Sequence, residues 1–268
     1  MMTPGQALFL GLVQGLTEFF PISSSGHLAL GEVLLGVNPG GVAFEVAVHL
    51  ATVVAVVVYY FRRIGALVAG AARGDSAAWR FLGKIALGSV PAAAFGLTFR
   101  RPIGHAFDAP ALVAVLLIVT GAVLWWSRRL DAADAASAER AGVEPTWGSA
   151  LWIGAAQAFA LLPGISRSGM TVVAGLWRGL GPVAAAEFSF LLSVPAILGA
   201  ALVEAPGIAA GVAGASPLAL AAAFVAAAVS GYFALAYLVH WLRQGHLHRF
   251  AYYCWAVGGL VLVLWALP

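Results

Sequence analysis

Charged residues are scarce in this 268-residue sequence: Asp, Glu, Lys and Arg make up only 9% of it, whereas hydrophobic residues make up 62%. An ordinary soluble domain has about 25% charged residues. A soluble domain this apolar would expose large hydrophobic patches and aggregate, whereas a lipid bilayer accepts the same surface. We therefore expect an all-α, polytopic membrane protein.

Cysteine is almost absent as well. The single cysteine, Cys254, excludes an intrachain disulfide and a cluster of thiolate metal ligands, and we expect it to fill a small apolar space in the last helix. Basic residues exceed acidic ones by only 14 to 11, and no basic run is interleaved with aromatic residues, so nucleic acid is not an expected partner. The sequence also lacks a Walker loop, the HExxH and GxSxG motifs and a dinucleotide-binding fingerprint. The apolar run 7–20 has no basic residue before it and no cleavage site after it, so we expect it to remain in the mature protein.

Six apolar runs are long enough to cross a bilayer, whose hydrocarbon core of about 30 Å requires roughly 20 helical residues. They are 42–61, 81–99, 110–127, 183–203, 217–240 and 250–267. Two further regions contain shorter apolar segments that a proline and serines interrupt, at 21–25 and at 163–168. Irregular backbone at membrane depth is tolerated only beside protein or a water-filled cavity. Both regions are therefore predicted to form re-entrant helical hairpins that line a site.

The two interrupted regions repeat one pattern. The matched residues are Gly11, Gln14, Ser23, Ser25 and Gly26, which recur at one constant spacing as Gly154, Gln157, Ser166, Ser168 and Gly169. Each copy would contain a hairpin followed by three spans, and because three is odd, the second copy would lie upside-down relative to the first, as in transporters with inverted repeats. The sequence thus predicts a single integral membrane domain over 1–268, with repeats at about 3–127 and 147–268 and a linker at 128–146.

The arginines and lysines indicate the orientation. In this arrangement of spans and hairpins, Arg100 and Arg101 lie on one side of the membrane. All the other arginines and lysines lie on the opposite side, apart from Arg167 at a hairpin tip. The positive-inside rule assigns the basic side to the cytoplasm. Both termini and the first hairpin then lie outside, the second hairpin enters from the cytoplasm, and the linker 128–146 is cytoplasmic.

Hydroxyl groups are concentrated at the two hairpin tips, at Ser23, Ser24 and Ser25 in the first and at Ser166 and Ser168 in the second. A serine before an apolar run commonly caps a helix, and we expect serines of both tips to cap the helices that follow them, but capping requires only one serine per helix. A helix N-terminus at membrane depth also presents free N–H groups and a partial positive charge, which favour anions. Two such termini facing each other would bind a diphosphate.

Arg167 and Glu18 are the charged groups of the two tips. Arg167 has no route to the aqueous interface from a re-entrant tip, so it must face a partner or a cavity, and its planar fork suits bidentate contact with phosphate. A structural ion pair with Glu18 or Glu187 is the alternative. Glu18 shares a helix face with Gln14, four residues earlier. There it could orient a nucleophile or hold a divalent cation, unless it is a buried, neutral carboxyl.

Histidines are the candidates for proton transfer. His27 directly follows the first serine cluster and could protonate a leaving oxygen or deprotonate a nucleophile. His49, Glu45 and Glu187 lie within predicted spans and are either structural or supporting partners of the site. The candidate nucleophile is Ser24, in the middle of the first loop, with water as the alternative.

These segments resemble the BacA-type undecaprenyl-diphosphatase family, bacterial membrane enzymes that recycle the peptidoglycan lipid carrier. The two family signatures are present as Gln14-x-x-x-Glu18 with Pro21 and Ser23-Ser24-Ser25-Gly26-His27, and as Pro163-Gly164-Ile165-Ser166-Arg167-Ser168-Gly169-Met170-Thr171. Segments around Glu45 and Glu187 also resemble family sequence, so the likeness covers nearly the whole chain. PAP2-like lipid phosphatases are not indicated, because their second histidine with its nearby aspartate is missing.

The resemblance implies hydrolysis of undecaprenyl diphosphate to undecaprenyl phosphate and phosphate in a bacterial inner membrane, at a site open to the periplasm. It also implies a divalent cation, Mg²⁺ or Ca²⁺, and a connection with bacitracin resistance. Carried over by position, the catalytic residues are Glu18, Ser24, His27 and Arg167, and the substrate-binding residues are Gln14, Ser23, Ser25, Ser166, Ser168, Gly169 and Thr171. Many family members have glutamate where this chain has Gln14, so Glu18 would bind the cation together with water, phosphate or another residue.

Two other functions stay open from the sequence alone. An inverted repeat also suits a lipid flippase or an anion transporter, which would release no phosphate from a prenyl diphosphate. A purely structural membrane subunit would explain neither Arg167 nor the duplicated polar loops. The expected partners are thus a polyprenyl diphosphate lipid and the bilayer, and a homodimer is allowed.

Overall fold

The computed structural model describes residues 2–37, 42–107, 109–131, 144–211 and 216–267. Within these ranges the chain forms twelve α-helices, numbered in chain order. They are α1 (Pro4–Phe19), α2 (Ser24–Leu35), α3 (Val42–Tyr59), α4 (Phe61–Ala72), α5 (Ser76–Thr98), α6 (Arg100–Phe107), α7 (Pro110–Asp131), α8 (Trp147–Phe159), α9 (Arg167–Trp177), α10 (Pro182–Gly211), α11 (Pro217–Leu242) and α12 (Phe250–Ala266). The expected all-α architecture is confirmed.

Five segments of the described chain are long and apolar enough to span a membrane. They are Ser76–Thr98, Pro110–Leu130, Pro182–Ala205, Pro217–Leu242 and Leu247–Ala266. The predicted span 42–61 is present as α3, but α4 follows it at an angle of 78°. The chain is thus a multi-pass membrane protein, and its described residues contain five candidate spans, or six when the bent pair is counted as one.

Two helices, α4 and α6, are absent from the sequence-based prediction. Each has an arginine pair in its first turn, at 62–63 and at 100–101, so neither belongs to a long apolar run although both are helical. α5 also begins at residue 76 and not at 81, because the side chain of Asp75 caps it by accepting from the amide of Ala77 at 2.9 Å. Hydropathy alone missed these elements because helix formation does not require an apolar sequence.

Two pairs of short helices lie where the sequence predicts re-entrant hairpins. α1 and α2 have 16 and 12 residues, and α8 and α9 have 13 and 11, so each is shorter than the roughly 20 residues that a span requires. Phe20 ends α1 in an extended conformation, at φ −62° and ψ 140°. The ring of Pro21 explains this, because a proline disfavours helical geometry at the residue before it.

Each hairpin packs against a helix of the other half of the chain. α1 packs against α11, and α8 packs against α5. Glycines allow both approaches, because an added Cβ at Gly11 would meet the backbone of Ala223, and one at Gly154 would meet the backbone of Gly88. α3 packs against α10 and α7 against α12. Helices of both halves of the chain therefore pack around the two hairpins.

The predicted linker 128–146 is only partly described. α7 extends through Asp131, so the start of that segment is helical. Residues 132–143 lie outside the described ranges. At the far end of the segment, Thr146 caps α8 by accepting from the amide of Ser149 at 3.1 Å.

Candidate active site

The tips of the two hairpins are in contact. The Ser168 hydroxyl donates to the carbonyl of Phe20 at 3.2 Å, and an added Cβ at Gly169 would come within 3.2 Å of Cβ of Pro21. The structure therefore brings together the two polar loops that the sequence places in different halves of the chain.

Glu18 is the centre of this junction. It is only 6% exposed, and both of its carboxylate oxygens have partners. Oε2 accepts hydrogen bonds from the Gln14 amide at 3.0 Å and from the Ser24 hydroxyl at 2.6 Å, and Nε2 of His49 lies 3.7 Å away. Oε1 accepts from Nη2 of Arg167 at 2.5 Å. The Glu18 carboxylate thus aligns Ser24, the candidate nucleophile of the first loop, with the Arg167 guanidinium of the second loop.

Arg167 pairs with Glu18 and not with Glu187, the other partner that the sequence allowed. Glu187 accepts instead from Nε of Arg63 at 2.8 Å. Nη1 of Arg167 is buried and has no hydrogen-bond partner among the described residues. An unpaired donor of a charged group is costly to bury, so this nitrogen marks the place where an anion would be favoured.

The serines do not cap the two hairpin helices alike. Ser166 caps α9 by accepting from the amide of Gly169 at 3.1 Å, as predicted. Ser23 occupies the N-cap position of α2 but forms no capping bond, because its backbone is left-handed with φ 68°, and its hydroxyl lies 3.4 Å from that of Ser25. The expectation that a serine caps α2 is therefore wrong. The first N–H groups of α2 have no side-chain cap and remain available to a ligand.

The polar residues of the second loop bond within the protein. The Ser166 and Ser168 hydroxyls lie 3.2 Å apart. The Thr171 hydroxyl donates to the carbonyl of Arg167 at 2.7 Å and lies 2.5 Å from the hydroxyl of Ser189. These contacts fix the first turn of α9, which carries Arg167. A direct role of these residues in substrate binding stays a prediction.

The ring nitrogens of His27 bond to groups other than the Glu18 carboxylate. Its Nδ1 lies 2.8 Å from the carbonyl oxygen of Ser23, and its Nε2 lies 2.8 Å from the hydroxyl of Tyr253. The imidazole also stacks on the Tyr253 ring, with centroids 5.6 Å apart and an interplanar angle of 17°. Of the two histidines, it is His49 that approaches Glu18.

Three residues near the site gave little or no signal in the sequence. Tyr253 lies in an aromatic-rich span where nothing distinguishes it from its neighbours. The Thr120 hydroxyl bonds to the second loop, donating to the carbonyl of Gly164 at 2.9 Å and accepting from the Ser166 amide at 3.1 Å. His49 was recognised only as a residue within a span, and its Nδ1 bonds to a backbone carbonyl of its own helix at 2.7 Å.

Cys254 and Gln14 complete the surroundings. Cys254 is fully buried, with Sγ 3.6 Å from the carbonyl of Pro21, so its predicted place as a small buried filler is confirmed. Oε1 of Gln14 is buried and unpartnered among the described residues. An amide oxygen beside a carboxylate is suited to a hard cation such as Mg²⁺ or Ca²⁺.

Known proteins resemble this chain over nearly its whole length. Residues 7–260 match the family described as bacitracin resistance protein BacA. The undecaprenyl-diphosphatase of Desulfosudis oleivorans is 39% identical over 97% of this chain and 98% of its own length. That of Halothermothrix orenii is 38% identical over 97% of each chain, and that of Carboxydothermus hydrogenoformans is 39% identical over 99% of this chain and 98% of its own.

The match extends over nearly the whole chain, and it includes both hairpins and both loops of the site. With the Glu18 carboxylate joining the two loops, it leads to one assignment: this chain belongs to the BacA family.

Proposed function

We propose that this chain hydrolyses undecaprenyl diphosphate to undecaprenyl phosphate and inorganic phosphate, and so recycles the lipid carrier of peptidoglycan synthesis. The observation that carries this proposal is the shared carboxylate of Glu18, which holds the hydroxyl of Ser24 at one oxygen and Arg167 at the other. A nucleophile, a proton acceptor and a cation for phosphate thus form one hydrogen-bonded group. Attack on a phosphoanhydride requires these three components.

The terminal phosphate of the substrate would lie between Arg167 and the start of α2. Nη1 of Arg167 has no protein partner in the described ranges, and α2 lacks a side-chain cap. A guanidinium and an uncapped helix N-terminus both favour phosphate oxygens. The Ser24 hydroxyl lies at this helix end and would therefore face the phosphorus atom.

In the first step, Oγ of Ser24 attacks the terminal phosphorus. The Oγ–P bond forms, the bond from phosphorus to the bridging oxygen breaks, and undecaprenyl phosphate leaves with the electron pair of that bond. The hydroxyl proton moves to Oε2 of Glu18, 2.6 Å away, and from there to solvent. Arg167 and the N–H groups of α2 stabilise the charge on the phosphoryl oxygens.

In the second step, water hydrolyses the phosphoserine. The water oxygen bonds to phosphorus, one of its protons passes through Glu18 to Oγ of Ser24, and the Oγ–P bond breaks to release hydrogen phosphate. In the competing route, water attacks the diphosphate directly and Ser24 only binds phosphate. Either route uses the same carboxylate as proton acceptor.

A divalent cation, Mg²⁺ or Ca²⁺, fits the first loop. The described residues contain no group of three or more His, Cys, Asp or Glu side chains that could hold a metal ion. Gln14 has a buried amide oxygen without a partner in the described ranges, and its amide nitrogen donates to the Glu18 carboxylate at 3.0 Å. A rotation of the amide would turn the oxygen toward an ion bound at Glu18. Mg²⁺ is commonly held by one or two protein oxygens together with substrate phosphates and water. Gln14 and Glu18 would hold the ion, which would neutralise charge on the diphosphate.

We also propose that the two halves are inverted repeats and that the hairpins are re-entrant. The reciprocal packing of α1 on α11 and of α8 on α5 supports this arrangement. The positive-inside rule would put the first hairpin on the outer side of the membrane, and the family resemblance implies a site that opens to the periplasm of a bacterial inner membrane. Single cysteines at Arg73 and Arg101, in a Cys254→Ala background, should react with an impermeant thiol reagent from opposite sides, and Arg101→Cys should react from outside. Labelling of both from one side would contradict this topology.

The phosphatase activity is tested by phosphate release from undecaprenyl diphosphate in detergent micelles. The purified protein should release one phosphate per lipid, and Glu18→Gln should release none while the matched control Glu204→Gln, at a partly exposed carboxylate, stays active. Glu204 is suitable because it pairs with Arg100, far from the site in sequence, at 2.7 Å. A protein that binds the lipid without releasing phosphate would be a lipid carrier and not an enzyme.

A further inference from the structure

We propose that Tyr253 is a positioning residue of this site: acting through His27, it holds Ser23 in its left-handed conformation and thereby directs Ser24 toward the substrate. The proposal rests on the phosphatase function. It makes His27 a structural hydrogen-bond donor and not a carrier of protons.

Both ring nitrogens of His27 are engaged. The carbonyl of Ser23 can only accept a hydrogen bond, so Nδ1 of His27, 2.8 Å away, carries a proton. In the neutral imidazole, Nε2 then accepts from the Tyr253 hydroxyl at 2.8 Å. Neither nitrogen is free to exchange a proton with Ser24 or with a phosphate oxygen.

The hydrogen bond from His27 holds an uncommon backbone. Ser23 is the one non-glycine residue with positive φ in the described ranges, at 68°, a conformation that L-residues rarely adopt. Its carbonyl receives two bonds from His27, from the amide at 3.3 Å and from Nδ1. The side chain thus adds a second bond to the carbonyl that the helix already uses.

The second hairpin shows what happens without the histidine. Met170 occupies the position that matches His27 in the repeat, and Ser166 occupies the position that matches Ser23. Ser166 has an ordinary φ of −78° and caps its helix. We infer that Ser23 would likewise cap α2 if His27 did not hold its carbonyl. The cap would block the N–H groups that face the phosphate.

Tyr253 makes this arrangement depend on the other half of the chain. It lies on α12, 226 residues after His27, and its ring stacks on the imidazole. Its hydroxyl fixes the ring orientation that points Nδ1 at Ser23. A phenylalanine at this position would keep the stacking and lose the hydrogen bond.

Substitutions of His27 distinguish positioning from proton transfer. The amide nitrogen of asparagine lies near the place of Nδ1, whereas that of glutamine lies near the place of Nε2. We expect His27→Asn to keep kcat within about tenfold of the parent, with an unchanged pH profile, whereas His27→Gln and His27→Ala lose roughly a hundredfold or more. If Asn is as inactive as Ala, His27 transfers protons and the proposal is wrong.

A double-mutant cycle tests the tyrosine. Tyr253→Phe should lower kcat about five- to twentyfold with little change in KM, and it should have no further effect in the His27→Asn background, where the acceptor nitrogen is missing. The matched control is Tyr252→Phe, the adjacent tyrosine, whose ring packs against Trp125. Additive effects of Tyr253→Phe and His27→Asn would overturn the proposal.

Thermal unfolding separates this result from the phosphatase function itself. If the parent protein released no phosphate, the proposed function would fail. The coupling between Tyr253→Phe and His27→Asn would still be measurable as non-additive shifts in Tm. Coupling in Tm without phosphate release would leave the hydrogen-bond relay intact and remove its role in catalysis, whereas additive shifts in Tm would refute the relay.

Discussion

The carboxylate of Glu18 on α1 accepts a hydrogen bond from the guanidinium of Arg167 on α9 at 2.5 Å, although 149 residues separate them. The pair is nearly buried, with side-chain exposures of 5% and 16%. Breaking such a pair by removing one partner leaves a buried charge uncompensated. This contact therefore joins the two hairpins and aligns Ser24, the proposed nucleophile, with the guanidinium that we propose binds phosphate.

Replacing Arg167 by lysine keeps the positive charge but removes the planar fork. One ammonium cannot bond both to Glu18 and bidentately to a phosphate, so we expect a loss in kcat/KM of a hundredfold or more, about 3 kcal/mol of transition-state stabilisation. Steady-state phosphate release measures it. Arg178→Lys, at the exposed end of the same helix, should behave as the parent. Near-normal turnover in Arg167→Lys would show that the arginine is only structural.

Ser24→Ala separates the covalent route from direct attack by water. If Ser24 is the nucleophile, alanine should abolish turnover while the lipid still binds. If Ser24 only binds phosphate, alanine should raise the activation free energy by about 1–3 kcal/mol and leave measurable catalysis. Single-turnover phosphate release and lipid affinity decide between them. Ser193→Ala, which removes a buried hydroxyl that donates to the carbonyl of Phe190, is the control. A residual rate within about a hundredfold of the parent would exclude the covalent route.

Gln14→Glu should increase the affinity for the divalent cation. A second carboxylate next to Glu18 adds negative charge and an oxygen ligand suited to Mg²⁺ or Ca²⁺. We expect half-maximal activity at a lower cation concentration, measured by titrating the ion back after removal with a chelator. Gln157→Glu, at the matching position of the second hairpin, is the comparison. An unchanged cation requirement in Gln14→Glu would mean that this residue is not a ligand.

Gln157→Leu should stabilise the protein. Gln157 is 1% exposed, and both polar atoms of its amide lack partners in the described ranges. The position that matches Glu18 in this half is Leu161, so the amide has no carboxylate to bond. Removal of an unsatisfied buried polar group should raise the free energy of unfolding by about 1–3 kcal/mol. A higher Tm in detergent with retained activity is expected, and a lower Tm would show that the amide has a partner in the membrane.

Gly154→Ala should destabilise the contact between α8 and α5. An added Cβ would collide with the backbone of Gly88, which cannot move away as a flexible side chain could. We expect a clear fall in Tm and in the yield of folded protein. Gly65→Ala is the matched control, because nothing lies within 4 Å of its added Cβ and alanine is favoured over glycine inside a helix. Equal effects of the two substitutions would contradict this packing.

The sequence was sufficient where the determining forces are local. The apolar composition indicates a membrane protein, and Pro21 ends α1 because its ring acts on the residue directly before it. Gln14 and Glu18 could be placed on one helix face, and the structure joins them at 3.0 Å. The internal repeat also identified both loops of the site.

Hydropathy does not predict the bend between α3 and α4, because the bend depends on packing and on charge at the helix end. The position of α4 follows from contacts with α5 and α3, and its paired arginines interrupt the apolar run. α6 was not predicted for the same reason, since its paired arginines lower the hydropathy of that segment. Elements that are helical without being apolar are recognised only once the surrounding helices are in place.

The partners within the site depend on how the helices pack in three dimensions. Arg167 could have paired with Glu18 or Glu187, and the sequence treated them alike, whereas packing of α9 against the first hairpin selects Glu18. Tyr253 was one aromatic residue among many until α12 brought it to His27. Such contacts join residues from opposite halves of the chain, and no local pattern encodes them. The chemical groups of the two loops can therefore be predicted from local sequence, whereas the packing of one half of the chain against the other selects which of those groups meet.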